Sequence, residues 1–224
     1  MKAMILAAGL GARLRPLTNS IPKPMLKVAG KPLLEYHLER LSHAGITEIV
    51  INISWLADQI EDYFSDGSDF GVNINWSHED IPLETGGGIF NALPALGSAP
   101  FLLISGDVWT DFPIETLLIK PMESKNLAHL VLVDNPEHNL MGDFSLEHSR
   151  VGFEAERHTY SGISILSPEL FNDIDAQKNV FPLRNVLRPA ILSNRISGTL
   201  YSGEWCDVGT LQRYNKLHKP ITEG

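Results

Sequence analysis

Residues 6–24, LAAGLGARLRPLTNSIPKP, gather small residues and cations into one short stretch. Ala8, Gly9, Gly11 and Ala12 let backbone N–H groups close on a ligand, while Arg13, Arg15 and Lys23 supply positive charge. A backbone cradle beside cations suits an anion with several oxygens, so the chemistry implied is phosphate binding. Two familiar phosphate patterns are absent. Leu14 stands where G-x-G-x-x-G needs its third glycine, which argues against a nicotinamide-binding dehydrogenase, and no G-x-x-x-x-G-K-[ST] occurs. Taken alone, the two glycines are equally compatible with a plain turn. Pro16, Pro22 and Pro24 disfavour helix in the residues before them, which predicts a long extended loop. Its Leu14, Leu17, Met25 and Leu26 predict that the loop is packed, and a long ordered loop in a compact domain is usually functional.

Such a loop must be held by regular elements. Residues 2–7 form a nearly all-apolar run that stops at glycine, the pattern of a strand buried on both faces. Pro32 then opens a helix in which Leu33, Leu34, Leu38 and Leu41 recur at helical spacing, with Gly45 as its stop. Residues 48–54 read as a second buried strand, 57–64 as a short amphipathic helix, and 72–77 as a strand. Residues 86–96 read as a glycine-started helix, and 100–107 as a strand ending on Asp107. The order β-α-β-α-β-α-β predicts an α/β fold: a Rossmann-like, mixed but mainly parallel sheet flanked by helices. In such sheets ligands sit at the carboxyl ends of strands, where both the opening loop and Asp107 fall.

The second half is less regular. Strands are expected over 127–134, 142–147, 150–154, 159–166 and 195–202, with helices over 182–192 and 210–218. The expectation is one domain over 1–224, with an α/β half to about residue 110 and a β-rich, ligand-capping half after it.

A net charge of −9 argues against a coat for nucleic acid or for an anionic membrane, since both need a basic face. Cys206 is the single cysteine, so no intramolecular disulfide framework exists. The apolar run at the N-terminus is about six residues, short of the roughly 7–15 of a signal peptide. No run approaches the roughly 18 residues of a membrane span. These features point to a soluble, cytoplasmic protein.

The buried strand, G-x-G-x-R and P-K-P together, in LAAGLGARLRPLTNSIPKPMLKVAGKPLLEY, resemble the opening of the sugar-1-phosphate nucleotidyltransferases. That resemblance implies the GT-A-like nucleotidyltransferase fold, and a reaction of a nucleoside triphosphate with a sugar-1-phosphate that yields a nucleotide sugar and pyrophosphate. It implies that Arg13 holds the β- and γ-phosphates, and that Lys23 sits against the α-phosphate and the sugar phosphate. The side-chain chemistry agrees, because arginine offers planar bidentate contacts while lysine acts as a compact point charge. It further implies a Mg²⁺ site made of Asp107, at the end of FLLISGD, and Asp207, in EWCDVGT. A lone strand-end aspartate is more often a helix cap, and it is the two aspartates together that favour the metal site.

Glu79, Thr85 and Gly86, in HEDIPLETGGGI, match the family segment that receives the base. Many relatives have Gln where this chain has Glu79, and Gly where it has Glu84. A glycine-rich helix entry made for close packing is the alternative there. On the sugar side the resemblance implies Gly142, Glu154 and Trp205, and it makes the half to about residue 110 nucleotide-binding and the smaller, β-rich half sugar-binding. With LETGGGI, a GDF turn and a closing CDVGT, the chain resembles the uridylyl-transferring members, which implies UTP and a sugar-1-phosphate as substrates. It reads as a minimal member without the added β-helix of acetyltransferase-fused relatives, and its oligomeric state stays open. A non-catalytic subunit that senses nucleotide sugars is a second class. Such a subunit would be expected to lose one of Arg13, Lys23, Asp107 or Asp207, and all four are present.

Overall fold

A computed structural model describes residues 1–222 apart from Lys120, Ala176 and Lys178; these three, with Glu223 and Gly224, lie outside the described residues, although they fall in the expected sugar-binding half. Strand β1 (Ala3–Leu6) runs into the opening loop, which leads to a small hairpin of β2 (Lys27–Val28) and β3 (Lys31–Pro32). Then come α1 (Leu33–His43), β4 (Glu48–Ile53), α2 (Ala57–Phe64), β5 (Asn73–His78), α3 (Glu84–Leu96) and β6 (Phe101–Ser105). The second half contributes β7 (Val108–Thr110), β8 (Ala128–Val133), β9 (Phe144–Glu147), β10 (Arg150–Gly152) and β11 (Arg157–Leu166). It ends with α4 (Arg184–Leu192), β12 (Ile196–Tyr201), β13 (Trp205–Asp207) and α5 (Leu211–Thr222).

Nine strands form one sheet in the order β5-β4-β1-β6-β11-β8-β12-β10-β9. Strands β5, β4, β1 and β6 are parallel, joined by crossovers through α1, α2 and α3. Within this sheet only β10 and β11 run against the rest, so it is mixed and mainly parallel in direction, as the alternation predicts. Strand β9 pairs β10 on one side and the start of β11 on the other, which curls the β-rich half around on itself.

The apolar runs are apolar because both faces of the sheet are covered. Met4, Ile89, Leu103, Leu130 and Leu187 pack on the face that α3 and α4 cover. Ile5, Leu38, Leu41, Ile51, Phe64 and Ile104 pack on the face covered by α1 and α2. Each such side chain contributes about 1.5–3 kcal/mol by leaving water.

Two local differences bear on function. The opening loop is three short 3-10 turns, Ala12–Leu14, Leu17–Asn19 and Lys23–Met25, rather than an extended run. Proline is compatible with the start of such a turn, because its missing N–H has no intrahelical partner there. Strands β7 and β13 form a separate two-stranded ribbon that no periodicity announces, since each is three residues long. A third apolar cluster (Leu14, Leu26, Val28, Leu33 and Val208, with Leu17, Trp109 and Tyr214 against it) ties the opening loop to the segment after β13.

Candidate active site

The carboxyl ends of β1 and β6 and the entry to α3 surround a cleft of about 200 Å³, lined by Ala8, Gly9, Lys23, Glu79, Thr85 and Asp107 among others. A wider cleft of about 1300 Å³ adjoins it and shares Leu6, Thr85, Ser105 and Asp107. Gly142, Tyr160, Trp205 and Asp207 line the wider cleft. Residues 85 and 105–107 therefore stand between a small compartment beside the opening loop and a large one beside the β-rich half.

The glycines of the opening loop have different jobs. A Cβ on Gly9 would meet nothing within 4 Å, so its backbone faces open space in the cleft. Gly11 has φ +61°, and a Cβ there would stand 2.8 Å from Thr18 Cγ2. The Thr18 hydroxyl donates to the Gly11 carbonyl at 2.8 Å, so Gly11 shapes the turn. Gly11 and Ala12 precede Arg13, which is exposed and makes no side-chain hydrogen bond or ion pair among the described residues. Arg13 and Ala12 stand outside the residues that line either cleft.

Lys23 pairs with Asp107 across the floor of the small cleft. Its side chain is only 12 % exposed, and an ammonium that deep requires an opposite charge. Asp107 and Asp207 are neighbours through the ribbon. Asp207 is in register with Val108, and the Val208 N–H donates to the Asp107 carbonyl at 2.7 Å. Asp207 Oδ1 lies 3.1 Å from Arg213 Nη1 and 3.0 Å from His138 Nε2, yet it has no well-formed hydrogen bond among the described residues. Burial pushes the Asp207 carboxyl above the usual carboxylate range. Arg213 and His138 pull it back, and the charge of Asp107 adds to the rise. A buried oxygen without a hydrogen bond, beside a second carboxylate that disfavours its ionisation, is the arrangement a divalent cation relieves. Among the described residues no group of three or more His, Cys, Asp or Glu could hold a metal. Two hard carboxylates, with water and phosphate oxygens completing the shell, suit Mg²⁺.

The base-side residues are divided. Glu79 lines the small cleft, but its carboxylate is already engaged. Oε1 accepts from Asn52 Nδ2 at 2.6 Å, and Oε2 accepts from the Leu83 N–H at 3.0 Å. Asn52 Oδ1 in turn accepts from the Ala7 N–H at 2.9 Å. This buried relay joins the ends of β1, β4 and β5 to the entry of α3 and sets the floor of the cleft. Thr85 lines both clefts and accepts the Leu183 N–H at 2.9 Å. Gly86 gives its N–H to the Phe181 carbonyl at 2.9 Å, and a Cβ on it would stand 2.5 Å from the Phe181 ring. Close packing of the helix entry accounts for Gly86.

On the sugar side, Gly142 has φ +60° and lies against the Arg157 backbone, where a Cβ would come within 2.6 Å. Trp205 donates its indole N–H to the Ser161 carbonyl at 2.9 Å, which fixes the ring at the cleft wall. Glu154 is exposed on the connection between β10 and β11 and lines neither cleft. Burial raises the Cys206 thiol pKa, which leaves it a poor nucleophile.

Asn52, His138 and Arg213 belong to the site although their sequence surroundings do not single them out. Asn52 is a lone polar residue inside an apolar strand, which is the one local signal that could have marked it.

The nucleotidyl transferase family profile matches residues 2–224. The chain is 52 % identical over 220 residues to the N-acetylmuramate alpha-1-phosphate uridylyltransferase of Neisseria meningitidis serogroup B, covering 95 % of each. It is 31 % identical over 229 residues to a mannose-1-phosphate guanyltransferase of Gibberella zeae, of whose length it spans 61 %. Its fold superposes on HddC from Yersinia pseudotuberculosis, solved in complex with GMP-PN, with a TM-score of 0.81 at 25 % identity, covering 98 % of this chain and 99 % of that one. The family profile spans nearly the whole chain and the fold agrees with it, and the chain belongs to the nucleotidyl transferase family.

Proposed function

We infer that this protein transfers the uridylyl group of UTP to N-acetylmuramate 1-phosphate, giving UDP-N-acetylmuramate and pyrophosphate. The observation that carries this reading is the 52 % identity, over 95 % of both chains, to the Neisseria uridylyltransferase. The guanyltransferase match is far lower, at 31 %. An enzyme with this substrate would act in the cytoplasm, in the recycling of cell-wall peptidoglycan.

An oxygen of the sugar phosphate attacks the α-phosphorus of UTP in line. The new P–O bond forms as the bond to the bridging oxygen breaks, and pyrophosphate leaves with the electron pair. The nucleophile is already ionised, so no general base is required, and catalysis is positioning and charge stabilisation. Lys23 stands at the α-phosphate. Arg13 lacks a protein partner among the described residues, and so is available to clamp the departing pyrophosphate bidentately. Ala8 and Gly9 line the small cleft, where their backbone N–H groups would meet the triphosphate. Asp107 and Asp207 would hold Mg²⁺, which when bound supplies positive charge to the phosphate oxygens. The uracil would sit near Glu79 and Thr85, and the sugar against Gly142 and Trp205 in the wider cleft.

The test is pyrophosphate release with Mg²⁺ over a grid of nucleoside triphosphates and sugar-1-phosphates. Turnover concentrated at UTP with N-acetylmuramate 1-phosphate is expected. Turnover concentrated at another pair keeps the chemistry and rejects the substrate, while nucleotide binding without turnover rejects the enzyme.

A further inference from the structure

N-acetylmuramate differs from N-acetylglucosamine by a lactyl ether that ends in a carboxylate. Resting on the reading above, an enzyme selective for its 1-phosphate needs a cation for this second anion, separate from those that hold phosphate. We propose that the guanidinium groups of Arg184 and Arg188, on α4, bind the lactyl carboxylate and set the enzyme's preference for it.

Both arginines line the wider cleft with Gly142, Trp205 and Asp207. Four residues apart on α4, they project from one face of the helix. Neither makes an ion pair or a side-chain hydrogen bond among the described residues, and both are exposed. The acids of the same cleft are engaged elsewhere: Asp107 with Lys23, Asp207 with Arg213 and His138, and Asp143 with the Tyr160 N–H at 2.8 Å. The two arginines thus carry positive charge that no acid of the cleft pairs with among the described residues. Lys23 and Arg13, the phosphate cations, do not line this cleft.

Arg188 is also oriented. Its guanidinium carbon lies 5.2 Å from the Phe153 ring centroid, over the ring, and its N–H edges stay open, with no hydrogen bond among the described residues. An open edge of that kind is what bidentate recognition of a carboxylate needs. Arg157 touches the same ring from 5.9 Å, but it donates Nε and Nη2 to the Phe153 carbonyl and stands outside the cleft lining. Helix α4 itself is held in place. Leu183, just before it, donates to Thr85 at the junction of the two clefts, and Val186, Leu187, Ala190 and Ile191 are buried in the core.

The experiment compares kcat/KM for N-acetylmuramate 1-phosphate with that for N-acetylglucosamine 1-phosphate, which lacks only the lactyl group. The ratio is measured in the full-length enzyme and in Arg184→Ala, Arg188→Ala, the double variant and Arg188→Lys. The ratio is expected to fall roughly 10- to 100-fold in the double variant, the size of one lost charge-assisted pair. Arg188→Lys should restore only part of it, because lysine lacks the planar fork. Competition binding of UDP-N-acetylmuramate against UDP-N-acetylglucosamine reads the same ratio without turnover, so a slow variant still decides. An unchanged ratio in the folded double variant, by kinetics and by binding, overturns the proposal. A wild-type enzyme that prefers some other sugar-1-phosphate overturns the functional reading instead, and that result is seen before any variant is made.

Discussion

Asp107 and Asp207, one hundred residues apart, are brought together by a three-residue ribbon in which Asp207 is in register with Val108 and the Val208 N–H bonds the Asp107 carbonyl at 2.7 Å. The contact joins the end of the nucleotide-side sheet to the last segment of the chain. The apolar cluster of Leu14, Leu26 and Val208 secures the same junction from the loop side.

If Asp207 holds Mg²⁺ as proposed, Asp207→Asn should remove a metal carboxylate while keeping the ribbon, whose pairing is backbone. Turnover is expected to drop roughly 100-fold or more, because losing a metal ligand is worth several kcal/mol. The circular dichroism spectrum should stay that of the parent. A variant whose pyrophosphate release over a Mg²⁺ titration overlays the parent's removes Asp207 from the metal site. Chelation of the metal should abolish activity reversibly.

Arg13→Ala and Lys23→Ala should each lower turnover by orders of magnitude with the fold retained, since the proposed role of both is charge on the triphosphate. Lys23→Ala also leaves Asp107 without its partner, so its Mg²⁺ dependence should change while that of Arg13→Ala should not. Near-normal rates in either variant remove that residue from its role.

Gly9 and Gly11 separate ligand approach from turn geometry. Gly9→Ala adds a methyl to open space, so stability should stay within about 0.5 kcal/mol. UTP affinity should fall by roughly tenfold, because the methyl enters the small cleft proposed to hold the triphosphate. Gly11→Ala should instead destabilise by about 1–3 kcal/mol through its positive φ and the clash with Thr18. Urea melts and nucleotide titrations of the two proteins check both halves. Equal effects on both readouts would show that the glycines are not divided in this way.

Asn52→Ala should cost about 2–4 kcal/mol. It leaves the buried Ala7 N–H without an acceptor and Glu79 Oε1 without its donor. Denaturant unfolding gives the value directly, and a loss below about 0.5 kcal/mol would mean that the relay contributes little.

His37 is buried in α1, with neither ring nitrogen in a well-formed hydrogen bond among the described residues. Burial, reinforced by the charge of Arg40, lowers its pKa from 6.5 to about 4, while Asp107 and the Val108 backbone pull weakly the other way. Below pH 6.5 the unfolded chain takes up a proton that the folded chain refuses, so folding stability falls as pH drops from 6.5 to about 4 and is unaffected above that window. The loss should reach about 3 kcal/mol at the acid end. His37→Leu should flatten this segment of the pH–stability curve relative to the parent. Parallel curves for the two proteins would assign the acid sensitivity to other groups.

How much of this was legible follows from how local each signal is. A strand buried on both faces announces itself as an apolar run, and an amphipathic helix by its 3.6-residue period. So β1, β4, β6 and α1 were readable, and α2 was readable to the residue at Ala57–Phe64. The glycines and cations of the opening loop were equally visible, because they are neighbours in the chain. Three-residue strands carry no period, so the ribbon that brings Asp207 to Asp107 stayed hidden until the chain folded. The same holds for Asn52 and Glu79, which meet only because β4 and β5 are adjacent and parallel. It holds too for α4, whose exposed arginines read as ordinary helix surface until the curled β-rich half made that surface the wall of a cleft. The amino-acid sequence by itself determined the sheet's parallel half and the run of glycines and cations in its loop, because both depend on short-range pattern. Which distant side chains share the site was left to the tertiary structure, because strand pairing and core packing act between residues that the chain keeps far apart.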